Sequence, residues 1–134
     1  MSTATGTPTV GDRVGPLVLP PISRTELALF AGASHDHNPI HIDIDAARLA
    51  GFDDVITHGM LSMAYLGRLL TDWRPQAQLL SWCVRFTAMT PVLAAPTCEG
   101  VVVAVSDDVA ELDLTVRLED GSVTLSGAAR VTVP

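Results

Sequence analysis

Side chains suited to proton transfer are concentrated in residues 30–60, FAGASHDHNPIHIDIDAARLAGFDDVITHGM. All four histidines of the chain lie in this stretch, together with several aspartates. An imidazole titrates near neutral pH, so it can take up or release a proton under ordinary conditions. A carboxylate beside it can hold a water molecule and set which ring nitrogen carries the proton. The stretch therefore predicts acid–base chemistry.

The segment DHNPIH, residues 36–41, has a spacing that can bring its first and last side chains together. Proline fixes its own φ and pushes the residue before it out of helical geometry, which makes the loop stiff. Asn38 is expected to hydrogen-bond nearby backbone and to brace this loop. We predict that Asp36 and His41 converge and activate one water molecule between them.

The sequence His58-Gly59-Met60 stands at the start of a predicted apolar helix. The free N–H groups and the positive dipole end of a helix N-terminus suit an oxygen that gains negative charge. Gly59 would let a ligand carbonyl approach the backbone closely. Ser62, one turn further, is predicted to hydrogen-bond water or the catalytic groups.

The remaining polar residues of the stretch are assigned structural positions. His35 and His37 are expected to face solvent or to pack within the loop, and His58 to anchor the turn into the helix. Asp43 and Asp45 are expected to cap a short helix.

Zinc binding by the loop histidines and an aspartate is the competing hypothesis. The Asn-Pro step stiffens the loop against closing around one ion, so we predict no metal.

Hydrophobic periodicity places the helices first and most strands afterwards. Helices are predicted at residues 26–33, capped by Ser23 or Thr25, at 46–50, closed by Gly51, and at 60–70. Strands are predicted at residues 14–20, 80–86, 97–105, 109–117 and 123–133. The helix at 60–70 is apolar nearly all round, which is typical of a buried central helix.

This order of elements predicts an α+β fold, with a curved antiparallel sheet of about five strands wrapped around the central helix. The last four strands are expected to form a meander with hairpin turns at 106–108 and 119–122. Because such a sheet has open edges, we expect dimerisation by the joining of edge strands.

Composition and charge limit the partners and the location. The formal net charge of −7 argues against nucleic acid and anionic membranes. We predict a flexible tail at residues 1–10, one domain at 11–134, no signal peptide and a cytoplasmic location.

Three other residue types also limit the possible chemistry. Cys83 and Cys98 are expected to be buried thiols. The chain has no lysine, which excludes an enzyme Schiff base. Four arginines are expected at the surface, where each could also meet a phosphate: Arg48, Arg68, Arg74 and Arg85.

Three motifs together resemble the signature of the MaoC-like (R)-specific enoyl-CoA hydratases and 3-hydroxyacyl dehydratases. They are FAGASHDHNPIH, the D-x-D-x-A that follows it, and ITHGM, with Arg85-Phe86 and Pro91-Val92 matching later features. The resemblance covers about residues 10–133. It departs at His35, where the family usually has glycine, and at residues 91–97, where PVLAAPT replaces P-V-x-x-G-D-T.

The resemblance implies a hot-dog fold, a sheet wrapped around one long helix. It implies a hydro-lyase that adds water to trans-2-enoyl thioesters, or removes it from (R)-3-hydroxyacyl thioesters. Asp36 and His41 would be the catalytic pair, and the Gly59 N–H would bind the thioester oxygen, with Ser62 and Asn38 beside the substrate. The family uses no metal, and no cofactor is expected.

Alternative functions remain open at this stage. The substrate would be an acyl-CoA or acyl-carrier thioester, and the chain would form a homodimer or pair with another hot-dog subunit. In the second case it would be the catalytic subunit of a heteromeric dehydratase complex. A thioesterase is a further alternative, because hot-dog folds also host that chemistry. A non-catalytic acyl-binding protein would be expected to lack the Asp36–His41 pair.

Overall fold

A computed structural model describes residues 5–134 of the chain. Its helices are α1 (Arg24–Ser34), α2 (Ile44–Leu49) and α3 (Gly59–Trp73), with short 3-10 turns at Pro39–His41 and Gln76–Gln78. Its strands are β1 (Arg13–Val18), β2 (Leu79–Phe86), β3 (Thr97–Ser106), β4 (Val109–Arg117) and β5 (Val123–Thr132). Every predicted element is present, with its ends moved by a few residues.

The strands form one five-stranded antiparallel sheet in the order β1-β3-β4-β5-β2. The α+β prediction of a five-stranded antiparallel sheet with a central helix is confirmed. The expected four-strand meander is wrong, because only β3, β4 and β5 follow one another in space. The connection at 87–96 is too long for a tight hairpin, and it carries the chain from β2 at one edge to β3 near the other.

Local sequence signals fix the ends of several elements. Ser23 and Glu26 form a capping box at the start of α1, and Asp43 caps α2. The β3–β4 turn has positive φ at both Asp107 (51°) and Asp108 (59°), as a type I′ hairpin requires.

The main core lies between α3 and the inner face of the sheet. Leu66, Leu69 and Leu70 of α3 are buried there against apolar side chains from β1, β3, β4 and β5. The opposite side of α3 is open: Met60 is 57% exposed, and Ala64 is also exposed. The prediction of a helix buried nearly all round is therefore wrong for this single chain, in which the side of α3 that carries Met60, Ala64 and Arg68 is uncovered.

The two cysteines occupy different environments. Cys98 on β3 is buried as predicted, and burial raises the pKa of its thiol to about 12. Cys83 is exposed, which contradicts the prediction. The reason is its place on β2: this strand lies at a sheet edge and alternates, so Trp82 and Val84 pack against the core while Cys83 faces outward.

The N-terminal segment lies outside the core. Residues 1–4 of the predicted tail are outside the described part of the chain, so the tail boundary stays a prediction. Within the tail, the Thr7 hydroxyl donates to the Pro134 carbonyl (2.7 Å), and Pro8 is buried. Among residues 5–134, no helix is long and apolar enough to cross a membrane.

We expect Leu66→Ala to lower the free energy of unfolding by about 2–5 kcal/mol, because it removes a fully buried side chain and leaves a cavity. Urea denaturation followed by circular dichroism measures the change. Leu49→Ala is the matched control, since Leu49 is 92% exposed, and its change should stay within about 0.5 kcal/mol. Equal losses in the two variants would contradict this description of the core.

Candidate active site

The loop after α1 begins with a left-handed residue. His35 ends α1 with φ 61°, a conformation that glycine adopts without cost and that other residues adopt rarely. This explains why glycine is usual at this position in the family that the sequence resembles. Histidine is among the residues that tolerate the left-handed region best, so the chain keeps the loop path without the glycine.

Short hydrogen bonds within the loop hold the residues between the predicted pair. The Asp36 Oδ1 atom accepts from the Asn38 N–H (3.3 Å), and the Asn38 Oδ1 atom accepts from the Ile40 N–H (3.2 Å). Pro39 then opens the 3-10 turn that ends at His41. Asn38 therefore braces the backbone that separates Asp36 from His41.

His41 is buried, and its two ring nitrogens have different environments. Nδ1 lies 2.7 Å from the carbonyl oxygen of Ile56, which can only accept, so Nδ1 carries the proton. In the neutral ring, Nε2 is then the acceptor, and it faces Asp36 Oδ2 at 3.7 Å. This separation is slightly too long for a direct hydrogen bond and suits two groups that share a water molecule.

The Ile56 carbonyl is held by neighbours on both sides. The Ile56 N–H donates to the Ile40 carbonyl (3.2 Å), and the Thr57 N–H donates to the Thr90 carbonyl (2.9 Å). Ile56 also forms an isolated antiparallel bridge with Pro91. Backbone hydrogen bonds thus hold the Ile56 carbonyl, which fixes the His41 ring, to the 3-10 turn at His41 and to the long β2–β3 connection.

His58 packs directly against the candidate pair. Its ring stacks on the ring of His41, with centroids 3.9 Å apart and planes 23° apart. Its Nε2–H donates to the backbone carbonyl of Asp36 (3.2 Å), and Phe30 meets it edge-on at 4.9 Å. Burial lowers the pKa of His58 and favours the neutral ring.

The start of α3 offers backbone donors beside this cluster. His58 is its N-cap residue but makes no capping hydrogen bond with its side chain, so the first N–H groups lack that partner. A Cβ atom at residue 59 would lie 3.1 Å from Cε1 of Phe86, so the glycine lets the Phe86 ring rest on the helix start. The hydroxyl of Ser62 is buried and has no hydrogen-bond partner among the described residues.

The geometry of this cluster is poor for a metal ion. One ligand atom each from Asp36, His41 and His58 lie within 4.8 Å of one another. However, imidazole lone pairs lie in the ring plane, and the two rings are stacked nearly parallel. Their lone pairs therefore do not converge on one point about 2.0–2.1 Å from each nitrogen, as zinc would require.

The other candidate residues have no hydrogen bond or ring contact with the pair among those found in residues 5–134. His35 and His37 are exposed, with ring centroids 6.2 Å apart. The cap prediction is wrong for Asp45, which lies in the first turn of α2, where its N–H donates to the carboxylate of the N-cap residue Asp43 (2.9 Å). Among the arginines, Arg48, Arg68 and Arg85 are exposed as expected. The surface prediction is wrong for Arg74, which is buried and donates to the Gly6 carbonyl (2.6 Å). It follows α3 directly and lies under the N-terminal segment.

Three residues of the site were missed by sequence reasoning in the roles described above: Ile56, His58 and Phe86. Ile56 acts through its backbone, which leaves no signature in its side chain. Phe86 reaches Gly59 from a strand distant in sequence, and no local pattern relates the two. His58 was assigned only to the turn into the helix. Its signal was its place just before Gly59 and the scarcity of histidine elsewhere in the chain.

The chain is similar to several known proteins. A family model described as "MaoC like domain" matches residues 7–123. The chain is 31% identical over 113 residues to an (R)-specific enoyl-CoA hydratase of Aeromonas caviae, covering 81% of this chain and 84% of that protein. It is 33% identical over 84 residues to a mitochondrial 3-hydroxyacyl-[acyl-carrier-protein] dehydratase of Arabidopsis thaliana. That match covers 63% of this chain and 49% of the plant protein, so the chain corresponds to about half of that relative.

A solved structure has the same architecture. The (R)-hydratase from A. caviae involved in PHA biosynthesis superposes with a TM-score of 0.84 at 27% identity, covering 96% of this chain and 98% of that one. This likeness extends over nearly the whole chain and confirms the hot-dog fold.

We expect His35→Gly to raise the free energy of unfolding by up to about 1.5 kcal/mol, and His37→Gly to lower it. Glycine relieves the left-handed strain at 35, worth about 1–2 kcal/mol, against an entropy cost of about 0.5–1 kcal/mol. His37 is not in the left-handed region, so its glycine variant carries only the entropy cost. Urea denaturation of both variants measures the difference, and equal losses would contradict it.

Proposed function

Because this chain belongs to the MaoC-like domain family, we propose that it catalyses the (R)-specific hydration of trans-2-enoyl thioesters or the reverse dehydration. One observation carries the proposal. The His41 ring is fixed by its Nδ1–H bond to the Ile56 carbonyl, so its free nitrogen faces the Asp36 carboxylate across 3.7 Å. A buried base and a carboxylate around one small space suit the activation of a single water molecule.

His41 is the proposed base at Nε2. Hydration adds a hydroxyl group to C3 and a hydrogen to C2, and neutral water is a poor nucleophile. Nε2 takes a proton from water as the hydroxyl adds to C3, and the resulting imidazolium returns a proton to C2. Asp36 holds the same water, and its charge stabilises the imidazolium.

The start of α3 is the proposed site for the thioester oxygen. Negative charge develops on this oxygen as the hydroxyl adds to C3. The N–H of Gly59 lies in the first turn of α3, where helix donors lack intrahelical acceptors and the dipole is positive. Ser62, with a buried hydroxyl one turn further, would assist in orienting water or substrate. Stabilisation of this kind supports hydration, and it would equally serve a thioesterase.

The proposed partner surface follows from two open features of the chain. The outer edge of β2 has no strand beside it among the described residues, and Leu80 and Phe86 on this strand are about half exposed. The uncovered face of α3 carries Met60. A second hot-dog chain that paired with β2 would continue the sheet and cover both features. That chain is a copy of this one or, in a heteromeric dehydratase, a different subunit.

The carrier of the acyl group, the absence of a cofactor and the cellular location are also proposals. The substrate is an acyl-CoA or acyl-carrier thioester, with no metal and no cofactor taking part. A cytoplasmic location is likewise only proposed. A panel of short, long and bulky enoyl thioesters, each offered as coenzyme A and carrier-protein forms, would define the acyl group and its carrier.

We expect Asp36→Asn and His41→Ala each to lower kcat/KM for crotonyl-CoA about 10²–10⁴-fold, because each removes a group that handles the reacting water. Loss of enoyl absorbance measures hydration, and a thiol reagent measures free coenzyme A. His37→Ala, in the same loop but exposed, should leave the rate unchanged. Near-normal rates in both variants would refute the assignment, and coenzyme A release without loss of the enoyl group would establish a thioesterase instead.

We expect the purified chain to elute as a dimer, since a single chain leaves the outer edge of β2 unpaired and Met60 of α3 exposed. Size-exclusion chromatography with light scattering measures the mass, and the same fraction is assayed for hydration. An active homodimer would exclude an obligate second subunit. A monomer that gains activity only with another hot-dog chain would establish the heteromeric alternative.

A further inference from the structure

His58 occupies a position that the proposed chemistry leaves unexplained. It is the N-cap residue of α3, where serine, threonine, aspartate or asparagine is favoured because its side chain can accept from the helix N–H groups. The His58 side chain makes no such bond, and the residue is only 1% exposed. A large, polar and almost fully buried side chain is therefore committed to other contacts.

Those contacts are made with both members of the catalytic pair. One face of the His58 ring lies on the His41 ring at 3.9 Å between centroids. The Nε2–H of the same ring donates to the Asp36 carbonyl at 3.2 Å. Phe30 of α1 supports the ring edge-on. One rigid side chain thus sets the position of the His41 ring and of the Asp36 backbone.

The tie to Asp36 matters because the loop is otherwise held mainly by its own residues. The Asp36 N–H donates to the Ser34 hydroxyl (3.2 Å), and Asp36 Oδ1 accepts from the Asn38 N–H (3.3 Å). Both partners are only two residues away, Ser34 at the end of α1 and Asn38 within the loop. The bond from His58 instead reaches across 22 residues, from the N-cap position of the central helix. It therefore ties the backbone of Asp36 to the central helix, whose leucines are buried in the main core.

The ring is suited to this task in its neutral form. A carbonyl only accepts, so Nε2 carries the proton, and Nδ1 is buried without a partner among residues 5–134. Burial and the neighbouring His41 lower the pKa of His58, while the backbone bond and the carboxylate of Asp36 raise it. Two of its packed neighbours can carry charge, His41 and Asp36, whereas Phe30 cannot. A neutral His58 leaves the positive charge of the proposed cycle to His41 alone.

We propose that His58 is a positioning residue for the Asp36–His41 pair, which holds His41 by stacking and Asp36 by a hydrogen bond to its backbone. This inference rests on the proposed hydration. In this proposal His58 acts only through its contacts with His41 and Asp36. Its removal is expected to reduce the chemical step, since small displacements of catalytic groups are costly, and to leave substrate binding nearly unchanged.

The test separates the two contacts with two variants. His58→Phe keeps an aromatic ring for stacking but loses the donor, and His58→Gln keeps an amide donor but loses the ring. Each is expected to lower kcat for crotonyl-CoA about 10- to 100-fold with little change in KM. His37→Phe is the control and should match the parent. Circular dichroism and thermal unfolding of each variant establish that the assayed protein is folded.

A thermodynamic cycle distinguishes positioning from a general loss of structure. If His58 acts through the pair, the effect of His58→Phe should shrink when Asp36 is already replaced by asparagine. A purely structural defect would lower the rate by the same factor in both backgrounds. Equal factors, or kcat within about twofold of the parent in folded His58→Phe and His58→Gln, would overturn the inference.

Failure of the proposed function is recognised separately, because the parent would then not hydrate any enoyl thioester. The ring arrangement is still testable by ¹⁵N NMR of the imidazole nitrogens. At pH 6.5, where an ordinary histidine is half protonated, His58 should be mainly neutral with its proton on Nε2, since burial lowers its pKa. A cationic His58, or a proton on Nδ1, would overturn the positioning inference whether or not activity is found.

Discussion

One hydrogen bond, from the Nδ1–H of His41 to the carbonyl of Ile56, sets the chemistry of the candidate site. It fixes the tautomer and orientation of the ring, and so decides that Nε2 faces Asp36. The carbonyl can serve only if its peptide stays in place. The Ile56–Thr57 backbone is accordingly fastened to Ile40 on one side and to Thr90 and Pro91 on the other. The loop that carries Asp36 and His41 therefore depends on the β2–β3 connection, which follows much later in the chain.

The sheet topology explains how this support arises. Because β2 and β3 lie at separated places in the sheet, the chain between them must cross the domain, and it passes residues 56–57 on its way. The same arrangement aims the start of α3 at the loop and leaves its other end against the N-terminal segment. The core leucines of α3 hold this helix to the sheet, so packing far from the site keeps its donors in position.

The sequence was sufficient for features that depend on neighbours along the chain. The closeness of Asp36 and His41, the bracing by Asn38 and the caps at Ser23 and Asp43 all involve residues within five positions of one another. It was insufficient where the partner is distant or acts through its backbone, as with Ile56 and the Phe86 ring on Gly59. The exposure of Cys83 and the burial of Arg74 likewise depend on which edge and which segment the fold places beside them.

The fixed ring of His41 has a stereochemical consequence. The imidazole cannot turn over about its bond to Cβ without losing the Ile56 carbonyl and its stacked neighbour. In the proposed cycle a single nitrogen atom must then both remove and return the proton. Water is held beside that same atom, so its hydroxyl and the returned hydrogen reach the planar enoyl group from one side. A syn addition would thus be imposed by a backbone carbonyl that never meets the substrate.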